Sequence, residues 1–134
     1  MIVRVRYAET DAMGVAHHGA YVVWLETARV EWMRERGLSY RELDDSGVAM
    51  AVAGLEVRYR SAARFDDLLH VDCRLETLRS RYGRFRYVIR HEDGRLIASA
   101  VSEHVPTDRR GRAVRLPDPW RSALARHVEP EAAT

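Results

Sequence analysis

Apolar and polar residues alternate along several stretches of the chain and follow a helical period along one, and that contrast predicts most of the elements. Residues 3–7 alternate apolar and basic, as a half-buried strand does. From His18 to Arg36 the period lengthens, and Tyr21, Trp24, Leu25, Ala28 and Trp32 fall on one stripe of a helix. Gly37 supplies the stop. Ser39 and Glu42 have capping-box spacing, which predicts a short helix to Asp45 that Gly47 ends. Beyond it Leu55, Val57 and Tyr59 alternate with Glu56, Arg58 and Arg60, and Leu69, Val71, Cys73 and Leu75 alternate with polar neighbours. Phe85, Tyr87 and Ile89 repeat the pattern, and residues 96–105 are more apolar, as a central strand would be. Gly83 and Asp93-Gly94 are expected to mark turns. Asp118 before Pro119 predicts an N-cap and a helix through Trp120 to His127, with residues 129–134 fraying.

The order is therefore strand, long helix, short helix, then four strands. A helix carrying two tryptophans on one stripe must bury it, and the sheet is the large partner at hand. The expectation is one α+β domain over residues 1–134, with an antiparallel sheet wrapped around one long central helix.

Composition narrows the class further. With 46% hydrophobic and 31% charged residues in 134, the chain has a globular balance. Its net charge is +2, and all 22 basic residues are arginines scattered among acids. No basic stripe with interleaved aromatics appears, so no nucleic-acid partner is expected. Arginines in that arrangement suit the phosphates of a small ligand as well as they suit a solvated surface. Cys73 is the lone cysteine and excludes an intrachain disulfide, which points to a reducing compartment. No membrane span or leader pattern is read, so the expected location is cytoplasmic.

The stretch Asp11-Ala-Met-Gly-Val-Ala-His-His-Gly-Ala-Tyr21 carries the candidate chemistry. An acid stands about seven residues before a helix start, with Gly14 between them to permit a reversal. Such a loop can bring a carboxylate near the helix N-terminus, where backbone N–H groups lack acceptors and can stabilise an oxyanion. An aspartate capping its own turn is the ordinary alternative. His17 beside His18 suggests a metal pair, but adjacent residues point apart and no further ligand lies at a coordinating spacing, so neither metal nor cofactor is expected. Glu26 is a second candidate acid, with an i,i+3 surface contact to Arg29 as its ordinary role. His70 and His104 are read as ordinary strand residues.

Residues Arg6 to Tyr21, with Trp24-Leu25-Glu26-Thr27-Ala28-Arg29 and residues 57–67, resemble the hotdog-fold acyl-CoA thioesterases. The nearer branch is the one of 4-hydroxybenzoyl-CoA thioesterase and the Tol-Pal-associated thioesterases. The resemblance covers roughly residues 2–117. It implies hydrolysis of an acyl-CoA to free acid and CoA, with Asp11 as the catalytic aspartate that activates water or attacks the carbonyl and His18 as a second catalytic residue beside it. Gly14 and Tyr21 would then belong to the substrate site, Tyr21 shaping the acyl pocket. Arg58, Ser80 and Arg81 are the selected candidates for contacts to CoA, out of a set that includes Arg60, Arg64, Arg109, Arg110 and Arg112. It also implies a homo-oligomer, dimer or tetramer, with sites between subunits. Ala62 stands where relatives often carry proline, so the turn before Arg64 is expected to differ. A dehydratase acting on acyl thioesters and a non-catalytic acyl-CoA binding protein are the alternatives.

Overall fold

A computed structural model describes residues 1–130. Its elements are β1 (Ile2–Arg4), a 3-10 turn (Tyr7–Glu9), α1 (His18–Glu35), α2 (Tyr40–Asp45), β2 (Ala49–Tyr59), β3 (Leu68–Arg79), β4 (Tyr82–His91), β5 (Leu96–Thr107) and α3 (Asp118–Ala125). The strands form one antiparallel sheet in the order β1-β3-β4-β5-β2, which leaves the 11-residue β2 at an edge.

Helix α1 buries Ala20, Tyr21, Trp24, Leu25, Ala28, Trp32 and Met33, the stripe that its period predicts. Each large side chain buried there contributes roughly 1.5–3 kcal/mol. Facing it, β3 and β4 supply Leu69, Val71, Leu75, Phe85, Tyr87 and Ile89, with Trp32 edge-on to Phe85 at 5.4 Å. The helix ends in a Schellman arrangement: Gly37, at φ +74, donates to Arg34 O, and Leu38 N–H donates back to Met33 O at 2.9 Å. Ser39 Oγ accepts from Glu42 N–H at 3.1 Å and starts α2 as expected.

Several boundaries differ from the sequence expectation. The first strand ends at Arg4, because residues 7–9 turn as a 3-10 helix. β2 begins at Ala49, and its Leu55 and Tyr59 are exposed because no strand covers that edge. Gly83 lies inside β4, opposite Leu78 and His104, and the turn falls on Ser80-Arg81. A Cβ on Gly83 would meet Met50 Cε at 3.2 Å, so the glycine admits a close neighbour there. Asp93-Gly94 does turn, with Gly94 at φ +91. In α3 the N-cap is Pro117, and Asp118 sits in the first turn. Glu129 is pinned, its N–H donating to Leu75 O at 2.7 Å, so fraying does not begin there; residues 131–134 lie outside the described residues.

The inward face of β5 is small and polar: Ala98, Ala100, Ser102 and His104 are all buried. His104 is no ordinary strand residue. Its Nε2 lies 2.7 Å from Ser102 Oγ, which lies 2.5 Å from Tyr87 Oη, and Arg29 Nη1 donates to that phenol at 3.1 Å. Arg29 thus turns inward, and the expected surface contact with Glu26 is not among its bonds. Cys73 packs on the same inner side of β3, and burial pushes its thiol up to about 12.

Burial, helped by the Arg29 charge, pushes the His104 imidazole down to about 4 from 6.5. Below pH 6.5 the unfolded chain therefore binds a proton that the folded chain refuses. Stability should fall as pH drops from about 6.5 to about 4, by up to about 3 kcal/mol from this residue. Urea unfolding across that range checks it. A His104→Phe variant with the same slope would contradict it.

Candidate active site

Residues 9–17 double back as a narrow hairpin. His17 N–H donates to Glu9 O and Asp11 N–H to Val15 O, each at 2.9 Å, and Thr10 pairs with Ala16 between them. Gly14 makes the reversal at φ +77 and donates to Asp11 O at 3.0 Å. Asp11 is exposed at the tip. Its Oδ1 accepts from Met13 N–H at 2.8 Å and, more weakly, from Val15 N–H at 3.4 Å. The aspartate does cap its own turn, but with one oxygen. Among the described residues nothing donates to Oδ2, which stays available for chemistry.

The hairpin delivers the chain to the start of α1. His17 is the N-cap, its Nδ1 accepting from Ala20 N–H at 3.2 Å. That use of Nδ1 places the proton of the neutral ring on Nε2. Gly19 makes room for the ring, since a Cβ there would meet His17 Nδ1 at 3.1 Å. His18 opens the helix with an exposed side chain, and neither its N–H nor that of Gly19 has an acceptor among the described residues. Two uncommitted donors thus stand at the positive end of an 18-residue helix.

Under the hairpin lies Glu9, which is 6% exposed. Its Oε1 accepts from Arg6 N–H and its Oε2 from Trp24 Nε1, both at 2.8 Å, and Arg6 Nε lies 3.3 Å from Oε1. Burial works to raise this carboxyl, but the hydrogen bonds from Arg6 and Trp24 outweigh it and the net shift is downward. The sequence singles out His17 only as half of a metal pair and gives Glu9 no role of its own. A buried acid two residues before Asp11 leaves no periodic signal, and histidine is an uncommon cap.

The other candidates divide by position. Tyr21 is 3% exposed and packs on Trp24 and on Tyr59, each with ring centroids 4.9 Å away, so the half-exposed Tyr59 ring is what reaches the surface. Ala16 N–H donates to Ala63 O at 2.7 Å and Val15 pairs with Arg64, which sets Arg64 and Phe65 beside the hairpin. Phe65 stands edge-on to the exposed Tyr7 at 5.6 Å. The Arg60, Arg64 and Arg81 guanidinium groups have no partner among the described residues, whereas Arg58 Nε pairs with Glu56 at 2.8 Å. Ser80 and Arg81 sit at the far end of β3, whose 12 residues span roughly 40 Å. Within one chain the fold does not bring them to Asp11. Glu26 is exposed on α1. Among the described residues no group of three histidine, cysteine or acidic side chains is arranged to hold a metal ion.

Over residues 5–125 the chain matches the family described as the thioesterase-like superfamily. The acyl-CoA thioester hydrolase YbgC of Escherichia coli O157:H7 is 39% identical over 77 residues, 58% of each chain. Among solved structures, the hypothetical protein TT1821 from Thermus thermophilus has 39% identity and a TM-score of 0.90, covering 95% of this chain and 97% of that one. DHNA-CoA thioesterase from Staphylococcus aureus has 28% identity and a TM-score of 0.90, covering 94% and 87%.

The cap geometry has a measurable consequence. His17→Ala should cost about 1 kcal/mol, while His17→Asn, which restores a side-chain acceptor, should stay within a few tenths of wild type. Urea midpoints compare the two. Equal midpoints would remove His17 from the capping role.

Proposed function

The chain belongs to the thioesterase-like superfamily, and we propose that within it the protein is an acyl-CoA thioesterase with Asp11 as its reacting acid. The observation that carries this reading is the division of labour on Asp11. One carboxylate oxygen is fixed by the turn, the other has no donor among the described residues, and the hairpin leads directly into a helix start with two N–H donors that have no acceptor among them.

Attack on the thioester carbonyl forms the C–O bond and puts negative charge on the carbonyl oxygen. The His18 and Gly19 N–H groups and the helix dipole suit that charge. Asp11 Oδ2 either takes the proton of an attacking water or attacks the carbon itself. Collapse breaks the C–S bond and the CoA thiolate leaves needing little protonation, giving the free acid directly in the first case and, in the second, an acyl-aspartyl anhydride that water then hydrolyses to the acid and free Asp11. The similarity to proteins named for acyl-CoA and DHNA-CoA thioester hydrolysis supports the substrate class. The branch of 4-hydroxybenzoyl-CoA and Tol-Pal-associated thioesterases is the finer assignment, and the Asp11-to-Tyr21 segment supports it.

The working unit is a homo-oligomer of this single domain. β2 is an uncovered edge that exposes Val52, Leu55 and Tyr59, and Val22 and Val23 are exposed on the nearby start of α1. Such an edge invites pairing. A second copy running antiparallel along β2 puts its Ala49 end against the Tyr59 end of the first. Its Ser80-Arg81 turn then comes to the same end of the joined sheet as Asp11. That placement brings to Asp11 a turn that lies beyond the far end of β3 within one chain, with Arg60, Arg64 and a second copy's Arg81 as phosphate partners. The cytoplasmic reading rests on the lone half-buried Cys73. Among the described residues no helix is long and apolar enough to cross a membrane.

Thiol release, followed with a thiol-reactive dye across short, long and aromatic acyl-CoAs, tests the activity. Asp11→Asn should lower kcat by about a hundredfold or more while the protein stays folded. Wild-type turnover in that variant would remove Asp11 from the mechanism. Sedimentation tests the assembly: Leu55→Arg should shift the protein towards monomer and lower turnover with it. A wild-type monomer at full activity would refute the shared site.

A further inference from the structure

We propose that Glu9 is a positioning residue for Asp11, fixing the reacting carboxylate against the start of α1 through Trp24. The role rests on the reading of Asp11 given above. Three contacts converge on this one residue. Its Oε1 holds Arg6 N–H, where the hairpin begins; its backbone O holds His17 N–H, where the hairpin ends; and its Oε2 holds Trp24 Nε1 on the helix. Each contact restrains one boundary of the segment whose tip is Asp11.

The chemistry of the residue argues for this role over simple packing. At 6% exposure an apolar side chain would serve the core with no desolvation cost, whereas a buried carboxylate is costly unless hydrogen-bonded. What the carboxylate adds is direction. Two donors approaching two oxygens admit one register of hairpin against helix, and buried polar groups specify geometry in this way. Trp24 is itself locked, 3% exposed and packed on Tyr21 at 4.9 Å, so it makes a rigid anchor. Among the described residues Asp11 has no comparable restraint of its own: its side chain bonds there only to backbone N–H groups inside the same turn. The turn can hold its shape and still swing relative to the helix donors. Glu9 removes that freedom, and misplacing a reacting group by about 1 Å can cost on the order of a hundredfold in rate.

Glu9→Gln keeps the size and one acceptor but turns an NH2 towards either Arg6 N–H or Trp24 Nε1, breaking one of the two bonds. The expected result is a kcat lowered about 10- to 100-fold with KM within about threefold of wild type, and unchanged binding of a non-hydrolysable acyl-CoA thioether. Trp24→Phe removes the donor from the other side and should lower kcat similarly. Glu76→Gln, which neutralises a carboxylate paired with arginines on the sheet, should leave kcat unchanged. If Glu9→Gln folds poorly, Trp24→Phe with the same KM-against-kcat split decides the question. Wild-type kcat in either folded single variant would overturn the role of Glu9. Full turnover in Asp11→Asn would instead overturn the reading on which it rests.

Discussion

The burial of one stripe of α1 sets the rest of the molecule. Trp24, Leu25, Ala28, Trp32 and Met33 are buried in one core cluster with Leu69, Val71, Leu75, Phe85, Tyr87 and Ile89 of β3 and β4. A helix of 18 residues is about 27 Å long. Once it lies against a sheet of comparable span, its first turn must emerge at one end. There the chain before it has to return to β1, whose Arg4 and Ile2 pair with the start of β3. The doubled-back hairpin is the short route between them. The result is an exposed carboxylate and two backbone donors, without acceptors among the described residues, at the end of a well-packed helix.

Two buried polar clusters work at the two ends of this arrangement and differ in kind. Around His104 the chain Arg29, Tyr87, Ser102 ties helix to sheet through neutral hydroxyls and an imidazole that burial keeps uncharged. Around Glu9 a carboxylate stays ionised because N–H donors outweigh its burial. The first cluster is a stability element that acid weakens. The second controls where a loop sits.

The sheet order carries its own consequence. With β2 at the edge and Tyr59 half exposed over the buried Tyr21, the apolar surface next to Asp11 is left open in one chain. A hydrolase acting on a thioester needs its reacting atoms shielded from bulk water. An open site beside an unpaired strand is what the proposed sharing of the site between two copies predicts for one chain.

The elements of the hotdog fold were legible in the sequence because their signals are local. A 3.6-residue stripe, alternating strands, a Ser39–Glu42 cap and a Gly37 stop depend on residues a few positions apart. The Asp11, Gly14 and His18 segment was legible for the same reason, as a short motif. Tertiary structure alone decided what depends on distant neighbours. Gly83 is a packing position because Met50 lies across from it, and β5 turns a small, polar face inward because Tyr87 and Arg29 complete its hydrogen bonds. Leu55 is exposed because no strand follows β2 in the sheet. Ser80-Arg81 follows the end of β3 away from the Asp11 hairpin, and Glu9 meets Trp24 fifteen residues on, through the bend of a hairpin. Hydropathy and spacing report the face of an element, but hydrogen-bond direction and packing are properties of pairs, and the pairs exist only after the chain has folded.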